Sequence, residues 1–363
     1  MKKSFVGLCA MALTMAACQP DGFRVSGVAE GFSDGDTLYF YEVMGAPTPT
    51  DTIILKNGKF KLEGPVDSVT MASVVSADGS AGALFFKEKG SIDVTVTKSG
   101  MPKIGGTASN DAWQEVNEMQ ARYSVKFDSL MAPLYMGEPD ESARVEAMKA
   151  YQVIEREMID NVIKIAEKNL DNELGYFVVT SMAGGTDLGP ERVKELIGKM
   201  PGEFQQRKEV VDIMKMLEGA EALAKGKVMP DFTLPTPDGQ QLSALAEVGK
   251  HKVTILDFWA KWCNPCCDEM PSMVSLYQEY KDKGLGIIGI SLDTDKESWT
   301  KGFADMQMTW TQVSDLQGWK SPVVELYQVN AIPFTVVVDQ KGVILEKGLR
   351  GESLRTFIEE SLK

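Results

Sequence analysis

The apolar residues of this chain recur with two periods, and the change from one to the other divides it. Up to Gly105-Gly106, short runs alternate apolar and polar positions at 37–41, 52–55, 59–62, 69–75 and 92–96, with turn residues between them. Such alternation marks half-buried strands, whose successive side chains point to opposite faces. Between two of the runs stands Lys56-Asn57-Gly58-Lys59, where Asn-Gly tolerates the positive φ of a hairpin turn. The spacing predicts a small antiparallel β domain.

From Ser109 to Lys225 the period lengthens to three and four residues. One helical segment opens at 111–119, and a long charged one covers 141–169, with Val145, Met148, Tyr151, Ile154, Met158 and Val162 along one stripe. A stripe of this kind predicts a buried helix-packing face rather than a ligand groove. Leu188-Gly189-Pro190-Glu191 punctuates a further helix, and 204–225 continues to a linker at Gly226-Lys227. Beyond the linker, 253–260 is a near-continuous apolar run, the pattern of a strand buried on both faces of a sheet. The run at 285–292, a helix at 296–306, a strand at 309–313, a hairpin of 336–338 with 343–345 and a closing helix at 353–362 follow. Strands alternating with helices imply a mixed α/β sheet. The expected fold class is α/β, its C-terminal part preceded by the antiparallel β domain and the helical region.

Composition narrows the function classes. The chain has 363 residues, 44% of them hydrophobic, which suffices for two or three domains, and a net charge of -14. Without a basic block or stripe, nucleic acid is excluded as a partner. Met1-Lys2-Lys3, the short apolar run 5–13 and the small residues before Cys18 have the parts of a secretory signal. Ala16-Ala17-Cys18 resembles the lipobox of bacterial lipoproteins, which implies removal of residues 1–17 and acylation of Cys18. The mature protein is then expected in the cell envelope, anchored through lipid to a membrane surface and facing the periplasm or the cell exterior.

Cys9 leaves with such a signal and Cys18 carries lipid, so three of the five cysteines remain, Cys263, Cys266 and Cys267. An exported chain whose thiols all sit in one place has no disulfide framework. Trp262-Cys263-Asn264-Pro265-Cys266 directly follows the buried strand and opens a helix. Cys263 therefore lies where unpaired N–H groups and the helix dipole stabilise a thiolate, and Cys266 lies one turn on. Cys263 is the expected nucleophile on a disulfide and Cys266 the resolving thiol. Zinc would need two more ligands, and only Cys267 and His251 are on offer. No metal and no cofactor are expected.

The stretch 258–271 resembles the active-site segment of the TlpA/ResA-like thiol-disulfide oxidoreductases, a branch of the thioredoxin superfamily. The lead-in 230–234 and Val329-Asn330-Ala331-Ile332-Pro333-Phe334-Thr335 are similar to that family too. The resemblance covers about residues 227 to 363 and implies a thioredoxin-like fold there. The β domain (18–106) and helical region (107–226) are similar to the extension carried by some exported members. Pro333 matches the family's cis-proline, with Ile332 and Trp262 beside the pair as substrate contacts. Glu269 matches a family carboxylate that handles the buried thiol's proton, and Asp257 takes the position of thioredoxin's buried Asp. In an apolar strand Asp257 is expected to titrate high and to accept a proton during resolution. Cys267 is expected to be a small packed residue, since an adjacent pairing with Cys266 is strained.

These readings point to an enzyme that reduces protein disulfides and draws electrons from a membrane partner. Two alternatives stay open at this stage: a partner-binding scaffold lipoprotein with a vestigial redox domain, and a peroxiredoxin-like peroxidase.

Overall fold

The computed structural model describes residues 22–136, 140–185 and 187–363. The expected signal segment 1–17 and Cys18 lie outside the described residues. The chain divides into two compact units, one up to Val210 and one from Val211.

The first unit opens with eight strands: β1 (Phe23–Glu30), β2 (Thr37–Tyr41), β3 (Asp51–Ile54), β4 (Lys59–Gly64), β5 (Thr70–Ser76), β6 (Gly82–Lys87), β7 (Gly90–Thr97) and β8 (Lys103–Gly105). They form two four-stranded sheets, ordered β4-β1-β7-β8 and β3-β2-β5-β6. Phe23, Leu38, Phe60, Phe85 and Ile92 are among the side chains of one core that the strands share. The domain is not purely antiparallel, because β1 and β7 pair in parallel over the whole length of β1. Asn57 and Gly58 both adopt positive φ, 53° and 62°, as the turn reading requires. The strands they join nevertheless enter different sheets, β3 beside β2 and β4 beside β1, so the turn is a link between sheets.

Three strands lie outside the alternating runs, β1, β6 and the three-residue β8, and for the first two the reason is physical. In β1 the inward positions include Gly27, and a Cβ there would stand 2.2 Å from the Phe60 ring, so the large residue of the pair sits on the neighbouring strand. In β6, Phe85 enters the sheet core while Phe86 packs on the helices, so both faces are buried.

Helices follow: α1 (Ala108–Met136), α2 (Glu141–Lys168), α3 (Glu173–Met182), α4 (Pro190–Lys199), α5 (Gly202–Gln205) and α6 (Lys208–Ala222). Pro190 occupies the first turn of α4 after Gly189 at φ 66°. The stripe on α2 is a packing face only in part. Ile154, Met158 and Val162 pack against the helical core, whereas Val145 and Met148 are exposed.

The second unit carries a small hairpin of β9 (Thr233–Pro235) and β10 (Gln241–Ser243), then α7 (Ala244–Val248), β11 (Val253–Trp259) and α8 (Asn264–Tyr280). It continues with β12 (Leu285–Ser291), α9 (Lys296–Asp305), β13 (Thr311–Val313), α10 (Pro322–Leu326), β14 (Phe334–Asp339), β15 (Ile344–Lys347) and α11 (Gly351–Ser361). The central sheet runs β13-β12-β11-β14-β15. Its pairs are parallel from β13 to β11 and antiparallel from β11 to β15. Every residue of β11 and β12 is buried, as their unbroken apolar runs require.

Candidate active site

The site is assembled where β11 ends and α8 begins. Cys263 is the N-cap of α8, and its Sγ accepts the backbone N–H of Cys266 at 3.2 Å. The N-cap position leaves that donor without an intrahelical partner, so sulfur takes the place that a Ser or Asp oxygen fills elsewhere. Pro265 falls within the first turn, where a missing N–H costs nothing. Cys263 and Cys266 are joined as a disulfide with Cα atoms 5.3 Å apart. Both are buried, Cys266 the more completely.

The entry loop is clamped from β12. Just beyond the strand, the buried carboxylate of Asp293 accepts the backbone N–H of Lys261 on both oxygens at 3.1 Å, and the Ser291 hydroxyl donates to it at 2.8 Å. Sequence reasoning missed Asp293, although a carboxylate at the end of an apolar strand is a visible signal. Cys267 is a free thiol, half-buried, with its Sγ 3.4 Å from the Lys261 carbonyl.

The Ile332–Pro333 peptide bond is cis, and the Ile332 carbonyl lies 3.7 Å from Cys263 Sγ. Trp262 is 53% exposed, and its ring centroid lies 6.4 Å from that of Trp319, itself 47% exposed. Trp319 escaped the sequence reading because its place beside the motif depends on how the loop before α10 folds back. Asp257 lies on β11 with its side chain buried. Burial first, and the charge of Glu269 second, push its carboxyl up to about 7. Glu269 is on α8, but its carboxylate is engaged elsewhere, accepting from Arg350 Nε at 2.9 Å and from the Gly351 N–H at 2.8 Å. Asp257 and Cys266 are thus both buried, Trp262, Ile332 and Pro333 are partly open, and Glu269 bridges to α11. Among the described residues no three His, Cys, Asp or Glu side chains converge as a metal site.

This geometry has relatives. Residues 225–347 match the AhpC/TSA family, and residues 23–113 match a domain of unknown function (DUF4369). The chain is 35% identical over 125 residues to thioredoxin-like protein YneN of Bacillus subtilis, covering 34% of this chain and 69% of that protein. It is 32% identical over 143 residues to thiol-disulfide oxidoreductase ResA of Bacillus anthracis, covering 39% of this chain and 79% of that protein. The chain belongs to the TlpA/ResA-like thiol-disulfide oxidoreductases. A solved thiol-disulfide oxidoreductase from Bacteroides fragilis is 33% identical, with a TM-score of 0.35, covering 37% of this chain and 98% of that one. For this oxidoreductase the AhpC/TSA match falls in the second unit, and the first unit carries the match to the domain of unknown function. The enzyme reading thereby takes precedence over the scaffold with a vestigial redox domain.

Proposed function

We propose that this oxidoreductase reduces protein disulfides outside the cytoplasm, tethered to a membrane through acylated Cys18 and re-reduced by a membrane electron donor. The observation that carries the reading is the Cys263–Cys266 disulfide at the N-terminus of α8. In the reduced enzyme the Cys263 thiolate, favoured by the Cys266 N–H and the helix dipole, attacks one sulfur of the substrate disulfide. That bond breaks, the first substrate sulfur leaves as a thiolate that takes a proton from water, and a mixed disulfide remains. Asp257 as carboxylate accepts the Cys266 proton, and the Cys266 thiolate attacks Cys263 Sγ. The second substrate thiol leaves and the internal disulfide forms, so two electrons have passed from the enzyme to the substrate. A membrane dithiol donor returns them by the same exchange in reverse.

Trp262, Ile332 and Pro333 line the approach of an extended substrate, and Trp319 joins them. Glu269, whose oxygens are held by Arg350 and Gly351, supports proton handling through its charge, which helps hold the Asp257 carboxyl up. The reading divides the chain into a signal peptide (1–17), a β-rich domain (18–106), a helical region with linker (107–226) and the thioredoxin-like domain (227–363). No helix among the described residues is long and apolar enough to cross a membrane.

Insulin-disulfide reduction by the full chain tests the activity. Wild type is expected to be active, Cys263→Ser inactive, and Cys266→Ser to accumulate a mixed disulfide with substrate. An inactive wild type sinks the proposal. Peroxide consumption at a comparable rate would favour the peroxidase reading. Labelling with a fatty-acid probe, lost in Cys18→Ala, tests the anchor.

A further inference from the structure

One row of residues crosses the central sheet beneath the active site: Thr335 on β14, Asp257 on β11, Gly289 on β12 and Gln312 on β13, each opposite the next in register. Residues paired in this way point to the same face of a sheet. Thr335 is committed elsewhere, since its hydroxyl donates to the Leu349 carbonyl at 2.6 Å. Gly289 has no side chain, and Gln312 uses the space. A Cβ on Gly289 would stand 2.3 Å from Gln312 Oε1 and 2.6 Å from Nε2. The amide of Gln312 therefore lies over β12, one strand nearer to Asp257 than its own backbone.

Its orientation is fixed. The Trp259 indole N–H donates to Gln312 Oε1 at 3.1 Å. An indole can only donate, so the oxygen must face it and the NH2 is the end left over. Gln312 is 4% exposed and Asp257 2%. Gln312 Nε2, a donor, and Asp257 Oδ2, an acceptor, are both buried without a hydrogen-bond partner. Buried polar atoms are almost always satisfied, and these two are complementary and share one face.

We propose that Gln312 is a positioning residue for proton transfer at Asp257. Held by the Trp259 indole over Gly289, its Nε2–H donates to the Asp257 carboxylate, by a small rotation or through one bridging water, and stabilises the form that takes the Cys266 proton. The inference rests on Asp257 as the proton acceptor. Burial and the Glu269 charge from α8 both favour the protonated acid, and a donor from β13 acts against both. Gly289 is then required because a methyl there would displace the amide.

The test follows the side chains by NMR in the reduced, full-length protein. In wild type the Gln312 side-chain amide resonances should shift with the same midpoint as the Asp257 carboxyl carbon, and this measurement needs no variant. In Gln312→Met the Asp257 midpoint should rise by about one pH unit, and Gly289→Ala should move it the same way. The acidic limb of the pH–rate profile should follow. Gln312 resonances that stay flat while Asp257 titrates, or a midpoint unmoved in a folded Gln312→Met, would overturn the proposal. Unchanged turnover in Asp257→Asn would instead overturn the acceptor role beneath it, a result read separately from the titration.

Discussion

At the scale of single residues, the burial of Asp257 bears on stability. Its carboxyl is buried and held up at about 7, whereas in an unfolded chain it would titrate near about 3.9. Between those values the folded state keeps a proton that the unfolded state has released. The stability of the protonated form is therefore complete below about pH 4 and declines as pH rises towards about 7. Asp257→Asn should raise the unfolding free energy of the oxidised protein, measured by denaturant titration at about pH 8, by on the order of a few kcal/mol, with the gain vanishing near about pH 4. Equal gains at both pH values would refute this. Cys263, Cys266 and Asp257 were visible in the sequence because their relation is local, a buried strand running straight into a helix. Gln312 and Trp319 were not, because they meet the motif only through the order of the strands and the path of a loop; for Asp293 the strand-end carboxylate is visible in the sequence and its partner, the Lys261 N–H, is not. The register of β13 on β12 sets Gln312 over Gly289, and no spacing along the chain encodes it.

At the scale of elements, Glu269 has a second task beside the one its position on α8 suggests. Its carboxylate receives the Gly351 N–H in the first turn of α11 and the Arg350 guanidinium, so it ties the active-site helix to the closing helix. Anionic groups are favoured at a helix N-terminus. Glu269→Ala should lower stability by about 1–2 kcal/mol, and Glu269→Gln by less, since an amide oxygen still accepts from Gly351. Urea unfolding of both variants measures this, and identical losses would argue against the tie to α11. The same scale shows where periodicity misleads. The α2 stripe reads as one continuous face, yet only Ile154, Met158 and Val162 meet the helical core, while Val145 and Met148 stay exposed. The Asn57-Gly58 turn has the right local chemistry, and the partner of each strand is a non-local choice that local chemistry does not make.

At the scale of the whole molecule, the second unit has a hydrophobic core of its own. That core draws on residues from Leu223 onward, all of them within the unit that begins at Val211. A fragment comprising residues 211–363 is thus expected to fold and to keep the disulfide-reductase activity of the full chain. Its circular dichroism melt and insulin assay check this, and a fragment without a cooperative melt would contradict it. The indoles are distributed unevenly. Trp259, Trp299 and Trp310 are buried and Trp113 is partly so, while Trp262, which precedes Cys263 in the chain, and its ring neighbour Trp319 are the exposed pair. Water-facing indoles emit at longer wavelength, and a neighbouring disulfide quenches them. Reduction should therefore brighten the red edge of the emission spectrum, and Trp262→Phe should remove most of that change. The chain carries its own optical gauge of how many of its molecules hold electrons.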